Sequence, residues 1–332
     1  MVALPAHHRP GGGFRNPWSS ATTHGFLDFL KWTLLERRRI PAGRRAEPLT
    51  FPRAVPAFVF PRGEPSVFTI TWVGHSSFLL QIGGLNLLLD PIWSDRASPF
   101  RFAGPRRRVP AAVDFDALPP IDAVVLSHDH YDHLDVPTVR RLIRRYPAIA
   151  WFAPLGVADF LRRHGAGSVV ECDWWQQARA GSLRLTCVPA QHFSGRRLDN
   201  RNATLWCGWA IRSAHHAVLF AGDTALHPEF ASIAEKCGPF QVAILPIGAY
   251  EPRWFMGPVH MNPEDCMVAI EQLRPGSAGE RLVLVGAHWG TFKLTDEPID
   301  EPPLRMRANW RTRGLADDDL WVMQHGETRA LP

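Results

Sequence analysis

The sequence has no apolar run of the roughly 18 residues that a membrane-spanning helix needs. Its first residues, with His7, His8 and three glycines at 11–13, lack the compact apolar segment of a secretory signal. These absences argue against a secreted or membrane-spanning protein. We expect a cytoplasmic location, with peripheral contact at the inner membrane surface left open.

Paired cysteines are also missing. The five cysteines are scattered, and their spacing matches no metal-binding pattern. An odd, unclustered set is typical of reduced and mostly buried thiols, which excludes a disulfide scaffold. With 45% apolar and 21% charged residues the chain is globular, and it has no internal repeat or low-complexity tract.

Lysine is scarce, being present only as Lys31, Lys236 and Lys293, although the net charge is +5. Arginine therefore carries almost all of the positive charge, and its planar fork suits phosphate and carboxylate groups. A genome rich in G and C is the alternative source of this arginine. The basic residues are dispersed and no aromatic stacking module accompanies them, so we expect no nucleic-acid partner.

Residues 1–64 form a basic, proline-rich arm around one predicted helix from Phe26 to Arg37. Most of its apolar residues fall on one broad side, while Trp32 and Leu35 interrupt the polar side. A helix that is apolar over so much of its surface is usually buried, so docking on the core is the main expectation. The alternative is a helix lying on a membrane surface, where Trp32 and Leu35 contact lipid and Arg37–Arg39 meet anionic head groups.

From residue 65 to 332 short apolar strands alternate with turns and, later, with helices, which predicts one α/β domain of two sheets with helices outside. Gly83-Gly84 between two of the strands predicts a tight hairpin. Strands are predicted at Phe68–Trp72, Phe78–Ile82, Leu85–Leu89, Ala123–Leu126, Ala150–Phe152, Leu183–Val188, Ala217–Phe220, Val242–Leu245 and Leu282–Val285. Helices are predicted at Val136–Arg145, Val157–Arg163, Glu229–Cys237, Pro263–Leu273 and Leu304–Arg313.

The densest group of chemically active residues directly follows the predicted strand Ala123–Leu126, in the string His-Asp-His-Tyr-Asp-His at 128–133. Three imidazoles and two carboxylates in six residues are costly to bury without a cation. Neutral histidine and ionised aspartate are common zinc ligands. We predict that His128 and His130 bind one ion, and that Asp132 and His133 bind a second beside it. A solvated polar loop is the alternative.

This H-x-H-x-D-H string resembles the metallo-β-lactamase superfamily, in which a His, an Asp and a last His follow later strands. Here His192, Asp223 and His288 each follow a predicted apolar strand in that order. The resemblance implies an αββα sandwich of two mixed sheets and two zinc ions per chain, with Asp223 bridging them. The implied ligands are His128, His130, Asp132, His133, His192, Asp223 and His288.

A closer resemblance is to the N-acyl-phosphatidylethanolamine-hydrolysing phospholipase D group of that superfamily. It is carried by the segments at 71–75, 90–99, 118–123, 173–175 and, above all, the unusual string at 246–256. It implies a zinc-dependent phosphodiesterase that acts on such lipids through a metal-bridging hydroxide. A cytosolic lactonase or sugar-phosphate hydrolase of the same fold is the alternative enzyme. A non-catalytic binding module is disfavoured by the intact ligand set.

The remaining site predictions concern residues around these ligands. Asp132 and Asp223 are the predicted catalytic residues, Asp132 by accepting or relaying a proton. Tyr131 and His260 are predicted substrate contacts; packing and a surface loop are their respective alternatives. We expect His75 to form a local hydrogen bond, and Asp90 either to orient a ligand imidazole or to form a plain turn. The sequence carries no signal for an oligomeric state.

Overall fold

Two sheets face each other across the main hydrophobic core. The structure, a computed structural model, describes residues 4–19, 21, 24–36, 51–197, 199–274 and 281–331. Within these ranges each sheet has seven strands. The first sheet contains β1 (Thr69–Gly74), β2 (Ser77–Ile82), β3 (Leu85–Leu89), β4 (Ala123–Val125), β5 (Ala150–Pro154) and β6 (Ser168–Cys172). The second contains β7 (Gln177–Ala180), β8 (Leu183–Val188), β9 (Gly208–Arg212), β10 (Ala217–Phe220), β11 (Val242–Pro246), β12 (Val283–Ala287) and β13 (Leu320–Trp321), and β14 (Thr328–Ala330) returns to the first sheet beside β1.

Both sheets are mixed, because an antiparallel meander leads into parallel strands. In the first sheet β1, β2 and β3 are antiparallel, and β4, β5 and β6 then follow parallel to β3. In the second sheet β7 to β10 are antiparallel, and β11, β12 and β13 are parallel to β10. The predicted hairpin is present: Gly83 and Gly84 have φ of 61° and 79°, as a two-residue hairpin turn requires.

Helices cover the outer face of each sheet. On the first sheet these are the helices Val136–Arg145 and Ala158–Arg163. Their side chains Val139, Leu142 and Leu161 pack against the outer side of the sheet in a second apolar cluster. Three further helices pack against the second sheet through side chains such as Ile270 and Trp310. The predicted architecture of two mixed sheets flanked by helices is therefore confirmed. The helices are α1 (Phe26–Leu30), α2 (Val136–Arg145), α3 (Ala158–Arg163), α4 (Phe230–Cys237), α5 (Arg253–Met256), α6 (Pro263–Leu273) and α7 (Glu301–Thr312).

Several strands escaped prediction because they lack a continuous apolar run. β6 and β7 are the edge strands of their sheets. Two alternate side chains of each strand are exposed, and in β7 both of the exposed side chains are polar. β9 begins with glycine and ends with arginine, and β13 has two residues. Strand pairing in the folded chain, rather than local pattern, defines these segments.

The helix of the N-terminal arm differs from the prediction. It is α-helical over α1 and continues as a π-helical turn over Lys31–Glu36; Arg37–Arg39 lie outside the described residues. Leu27 and Leu34 of the predicted apolar side are 79% and 74% exposed, so the helix does not dock on the core through that side. The helix docks through Trp32, which the membrane-surface alternative would place in lipid: Trp32 is buried, and its Nε1 donates a hydrogen bond to Asp296. None of the helices within the described ranges has both the length and the apolar character that crossing a bilayer requires.

Candidate metal centre

The seven residues predicted as metal ligands lie together at one edge of the sandwich. They follow the carboxyl ends of β4, β8, β10 and β12, which deliver the loop at 128–133, His192, Asp223 and His288 respectively. The chain at Gly222 has a φ of 61°, and a Cβ there would meet the Cβ of Ser127 at 2.5 Å. A glycine is therefore needed for Asp223 to approach the histidine loop.

A first group consists of three imidazoles. Nδ1 of His130 lies 2.8 Å from Nε2 of His128 and 3.2 Å from Nε2 of His192. Burial and neighbouring imidazoles lower the pKa of His130 to about 3. Burial lowers the pKa of His192 to about 4. These rings are therefore neutral near pH 7 and present lone pairs, as metal-binding histidines must.

A second group contains a carboxylate and two imidazoles. Oδ2 of Asp132 lies 3.5 Å from Nε2 of His133 and 3.5 Å from Nε2 of His288. Both histidines are fully buried, and Asp132 is half-buried. This set of nitrogen and oxygen atoms is of the kind that divalent transition metals bind.

Asp223 lies between the two groups. Its Oδ2 is 3.0 Å from Nε2 of His288 and 3.1 Å from Nε2 of His133 in the second group. The same oxygen is 3.8 Å from Nε2 of His192 and 3.9 Å from Nε2 of His128 in the first. A single carboxylate is thus within reach of both groups.

The charges and unpaired atoms of this centre fit a cation. Among the described residues, Oδ1 of Asp223 and Nδ1 of His288 are buried without a hydrogen-bond partner. Burial alone would lower the pKa of His288, but Asp223 and Asp132 raise it to about 9. The site therefore stabilises positive charge at a point where several lone pairs converge. Metal binding would satisfy both features.

Neighbouring groups hold the imidazoles in place. Oδ2 of Asp90 lies 2.6 Å from Nδ1 of His133, and Asp90 also accepts hydrogen bonds from the backbone and hydroxyl of Ser127. Asp90 therefore orients the imidazole of His133, as the first of its two interpretations predicts. Nδ1 of His192 donates to the carbonyl of Val259 at 2.9 Å. The sequence does not predict this contact, because every residue type has a backbone carbonyl.

His75 forms a hydrogen bond, but its partner, Asp132, lies 57 residues away in the sequence and is not local. Nε2 of His75 lies 2.9 Å from Oδ2 of Asp132. The backbone of His75 has a left-handed φ of 57°, its N–H donates to Thr291, and its carbonyl accepts from the N–H of His288. His75 thus connects the loop at 128–133 with the segment at 288–291.

The two predicted substrate contacts differ in position. His260 is buried, its Nε2 lies 4.0 Å from Oδ2 of Asp223, and Arg253 donates a hydrogen bond to its carbonyl. The surface-loop alternative for His260 is therefore wrong. Tyr131 is half-buried, with its hydroxyl donating to the carbonyl of Arg196 and its ring 4.0 Å from that guanidinium. Tyr131 therefore packs against Arg196, as the packing alternative predicts. A role of Tyr131 in substrate binding stays a prediction.

Comparisons with known proteins agree with this architecture. Residues 85–289 match the β-lactamase superfamily domain. The chain is 44% identical over 284 residues to an uncharacterized protein of Mycobacterium tuberculosis, covering 85% of this chain and 73% of that protein. It is 36% identical over 337 residues to N-acyl-phosphatidylethanolamine-hydrolyzing phospholipase D 1 of Caenorhabditis elegans, covering 96% of this chain and 92% of that protein. Among solved structures it is similar to Igni18, a metallo hydrolase of Ignicoccus hospitalis, with 26% identity and a TM-score of 0.60. The match covers 80% of this chain and 99% of Igni18.

Proposed function

Because this chain belongs to the metallo-β-lactamase superfamily and is a metal-dependent hydrolase, we propose that it is a zinc phosphodiesterase. Its substrates are N-acyl-phosphatidylethanolamine-like lipids, cleaved in a phospholipase D-type reaction. The observation that carries this proposal is the position of Asp223, whose Oδ2 is within 4 Å of imidazoles in both ligand groups. The substrate class is supported by similarity to the nematode enzyme over 96% of the chain.

The two groups would hold two zinc ions per chain. His128, His130 and His192 would hold one ion and Asp132, His133 and His288 the other, with Asp223 within reach of both groups. When bound, the ions supply Lewis acidity for phosphoryl oxygens and a water of lowered pKa. No side-chain nucleophile is required in such a reaction.

Proton transfer in this reaction is assigned to a side chain of the protein, Asp132. Burial would raise the pKa of Asp132, but His133, His288 and His75 hold it well below its ordinary value, so its carboxylate stays ionised. Oδ2 of Asp132, a weak base because of that lowered pKa, relays the proton of the attacking water to the departing head-group oxygen. Water oxygen bonds to phosphorus while the bond from phosphorus to the head-group oxygen breaks. The products are a phosphatidic acid and an N-acylethanolamine.

His260 contacts the substrate in this proposal. Its ring lies 5.0 Å from the rings of both His192 and His288, so it faces the space between the ligand groups. Burial holds the pKa of His260 well below its ordinary value, which leaves a neutral ring with one N–H to donate. That N–H is suited to a phosphoryl or head-group oxygen. Arg253, bound to the His260 carbonyl and to Asp265, fixes the segment.

The lipid reaches the site from an apolar surface made by the N-terminal helix and α5. Leu27, Leu34 and Leu35 are exposed on that helix. Lys31 lies 4.9 Å from the ring of Trp254, which is itself exposed on α5. Trp32 of the N-terminal helix packs against Phe255 of α5, and the chain continues from α5 to His260. A cation beside exposed apolar groups is typical of a membrane-surface contact.

A substrate screen tests the function. Purified protein is incubated with vesicles of N-acyl-phosphatidylethanolamine, a short soluble phosphodiester, a lactone and a sugar phosphate, and products are identified by mass spectrometry. We expect phosphatidic acid and N-acylethanolamine, with one oxygen from labelled water in the phosphatidic acid. The Asp223→Asn variant is the matched control. Turnover of the lactone or sugar phosphate alone would overturn the proposal in favour of the other hydrolase class.

A further inference from the structure

A second group of convergent ligand atoms lies outside the metal centre, where the N-terminal arm meets the loop after β6. Nε2 of His7 is 2.6 Å from Oδ1 of Asp173, and Nε2 of His8 is 2.7 Å from Oδ2 of the same carboxylate. His7 is buried, and His8 and Asp173 are half-buried. One ligand atom from each residue lies within 4.8 Å of the others. None of the three belongs to the catalytic ligand groups.

The side chains of this cluster are held in position by their surroundings. The ring of His7 is stacked on Trp174 at 4.2 Å. The backbone of His8 is bridged to Phe14 and donates to Pro5, which makes a compact turn of the arm. Oδ1 of Asp173 also accepts the N–H of Trp174. The imidazoles and the carboxylate are therefore preorganised, which lowers the entropy cost of binding a ligand between them.

The chemistry of the cluster suits a divalent transition metal. Burial alone would raise the pKa of Asp173, but hydrogen bonds with His7 and His8 lower it, so the carboxylate is ionised. Among the described residues, the ion-pair partners of Asp173 are these two imidazoles, and no lysine or arginine competes for it. Two imidazoles and one carboxylate form a three-ligand set that zinc uses, leaving a position for water.

We propose that His7, His8 and Asp173 form a further metal site, which takes a divalent transition ion such as zinc and fastens the N-terminal arm to the body of the protein. The consequence reaches the catalytic centre through the same arm. Nδ2 of Asn16 donates to the carbonyl of His192 at 2.8 Å, and Oδ1 of Asn16 accepts from Nε1 of Trp206. An arm fixed at residues 7 and 8 keeps Asn16 against the His192 loop. The site is independent of the substrate proposed above.

Metal content is the primary test. Wild type, His8→Gln and Asp173→Asn are equilibrated at one free zinc concentration, passed through gel filtration and analysed by mass spectrometry for metal per chain. Both variants should hold about one ion fewer than wild type. The matched control is His215→Gln, because His215 is an exposed histidine beside a second histidine, His216. It should hold as many ions as wild type.

Every outcome of this test is informative, because the readout is a difference in metal content and does not depend on how many ions the catalytic centre holds. If wild type and both cluster variants bind equal amounts, His7 and His8 only hydrogen-bond to Asp173 and the proposal is overturned. An equal loss in His215→Gln would show adventitious surface binding and would overturn it too. Near-ultraviolet circular dichroism of each variant verifies its fold; Asp173→Asn preserves side-chain size if His8→Gln fails to fold.

A spectroscopic experiment identifies the ligands. Protein loaded with about two zinc ions per chain and then titrated with Cu²⁺ should give a paramagnetic resonance spectrum with coupling to two nitrogens in wild type. His8→Gln should retain coupling to one nitrogen or lose the signal. A wild-type spectrum that is unchanged in His8→Gln would place the bound ion elsewhere and contradict the assignment.

Discussion

Nε2 of His75 lies 2.9 Å from Oδ2 of Asp132, so a buried imidazole outside the predicted ligand set holds the carboxylate of a member of that set. Burial, with the charge of His288, lowers the pKa of His75 to about 3. The ring is therefore neutral at working pH, and the hydrogen bond requires its proton on Nε2. This contact fixes which way Asp132 faces within the centre.

Replacing His75 should weaken the centre without unfolding the protein. Loss of a partner that orients a metal ligand typically costs about 10–100-fold in metal affinity or activity. We expect a loss of that size in kcat for His75→Leu, with weaker zinc retention against a chelator. His75→Gln, which keeps a donor, should recover part of both quantities. Near wild-type kcat and zinc affinity in His75→Leu would show that Asp132 needs no such support.

Removal of a single ligand should abolish turnover. Asp223→Asn weakens the carboxylate that lies between the two groups, and His130→Ala removes an imidazole from the first group. Both changes affect the centre rather than the apolar core, so the circular dichroism spectrum should remain close to wild type. The measurement is kcat on the best substrate of the screen. Retention of near wild-type kcat in either variant would contradict the proposed roles.

Metal removal should separate the catalytic centre from the cluster at His7 and His8. The His8→Gln variant should retain about two zinc ions per chain, as in two-metal hydrolase sites. Chelation should abolish its activity, and added zinc should restore it. Activity that survives complete loss of transition metal, as measured by elemental analysis, would exclude a metal-dependent reaction.

The strand-end positions of His192, Asp223 and His288 were predictable, because each follows a short apolar run in a fixed order. Their convergence follows from the rule that parallel strands end at one edge. The partner of His75 was not predictable, since nothing local to residue 75 indicates residue 132. The arm shows the same limit: helical periodicity predicts a helix beginning at Phe26, where α1 begins, but Trp32 is buried through its contact with Asp296, far along the chain. Long-range contacts of this kind depend on tertiary structure.

Acid sensitivity should depend in part on His227. It is buried between Trp18 and Phe230, with ring centroids 4.8 and 4.4 Å away, and burial lowers its pKa to about 3. Between that value and the ordinary imidazole pKa of about 6.5, the unfolded chain is protonated while the folded chain is not. The contribution to stability is thus complete above about pH 6.5 and is lost as the pH falls towards 3. At pH 5 the loss is about 2 kcal/mol.

His227→Phe keeps an aromatic ring in the stack and removes the titration. In denaturant unfolding at pH 5 and pH 7, the decrease in the free energy of unfolding on acidification should be about 2 kcal/mol smaller in this variant. His215→Gln serves as the control, because His215 is exposed and should leave the decrease unchanged. An identical decrease in wild type and His227→Phe would mean that His227 is solvated in the native state.

The exposed leucines of the N-terminal helix should govern binding to lipid vesicles. Leu34 and Leu35 are 74% and 81% exposed, and insertion of each side chain into lipid is worth about 1.5–3 kcal/mol. Leu34→Ser combined with Leu35→Ser should therefore lower vesicle affinity at least about tenfold in co-sedimentation. The control, Leu304→Ser, removes a leucine that is 65% exposed on α7 and should sediment like wild type.

Point variants are a sharper test of this surface than deletion of residues 1–40. Such a deletion also removes Phe14, which is buried in the core, and Asn16, which contacts the His192 loop. Loss of activity after the deletion would therefore not distinguish lost packing from lost lipid contact. The double leucine variant should lose turnover on vesicles and keep it on a short soluble phosphodiester, because neither leucine contributes to the metal centre. Equal sedimentation of wild type and the double variant, with and without anionic lipid, would show that lipid contact does not involve this helix.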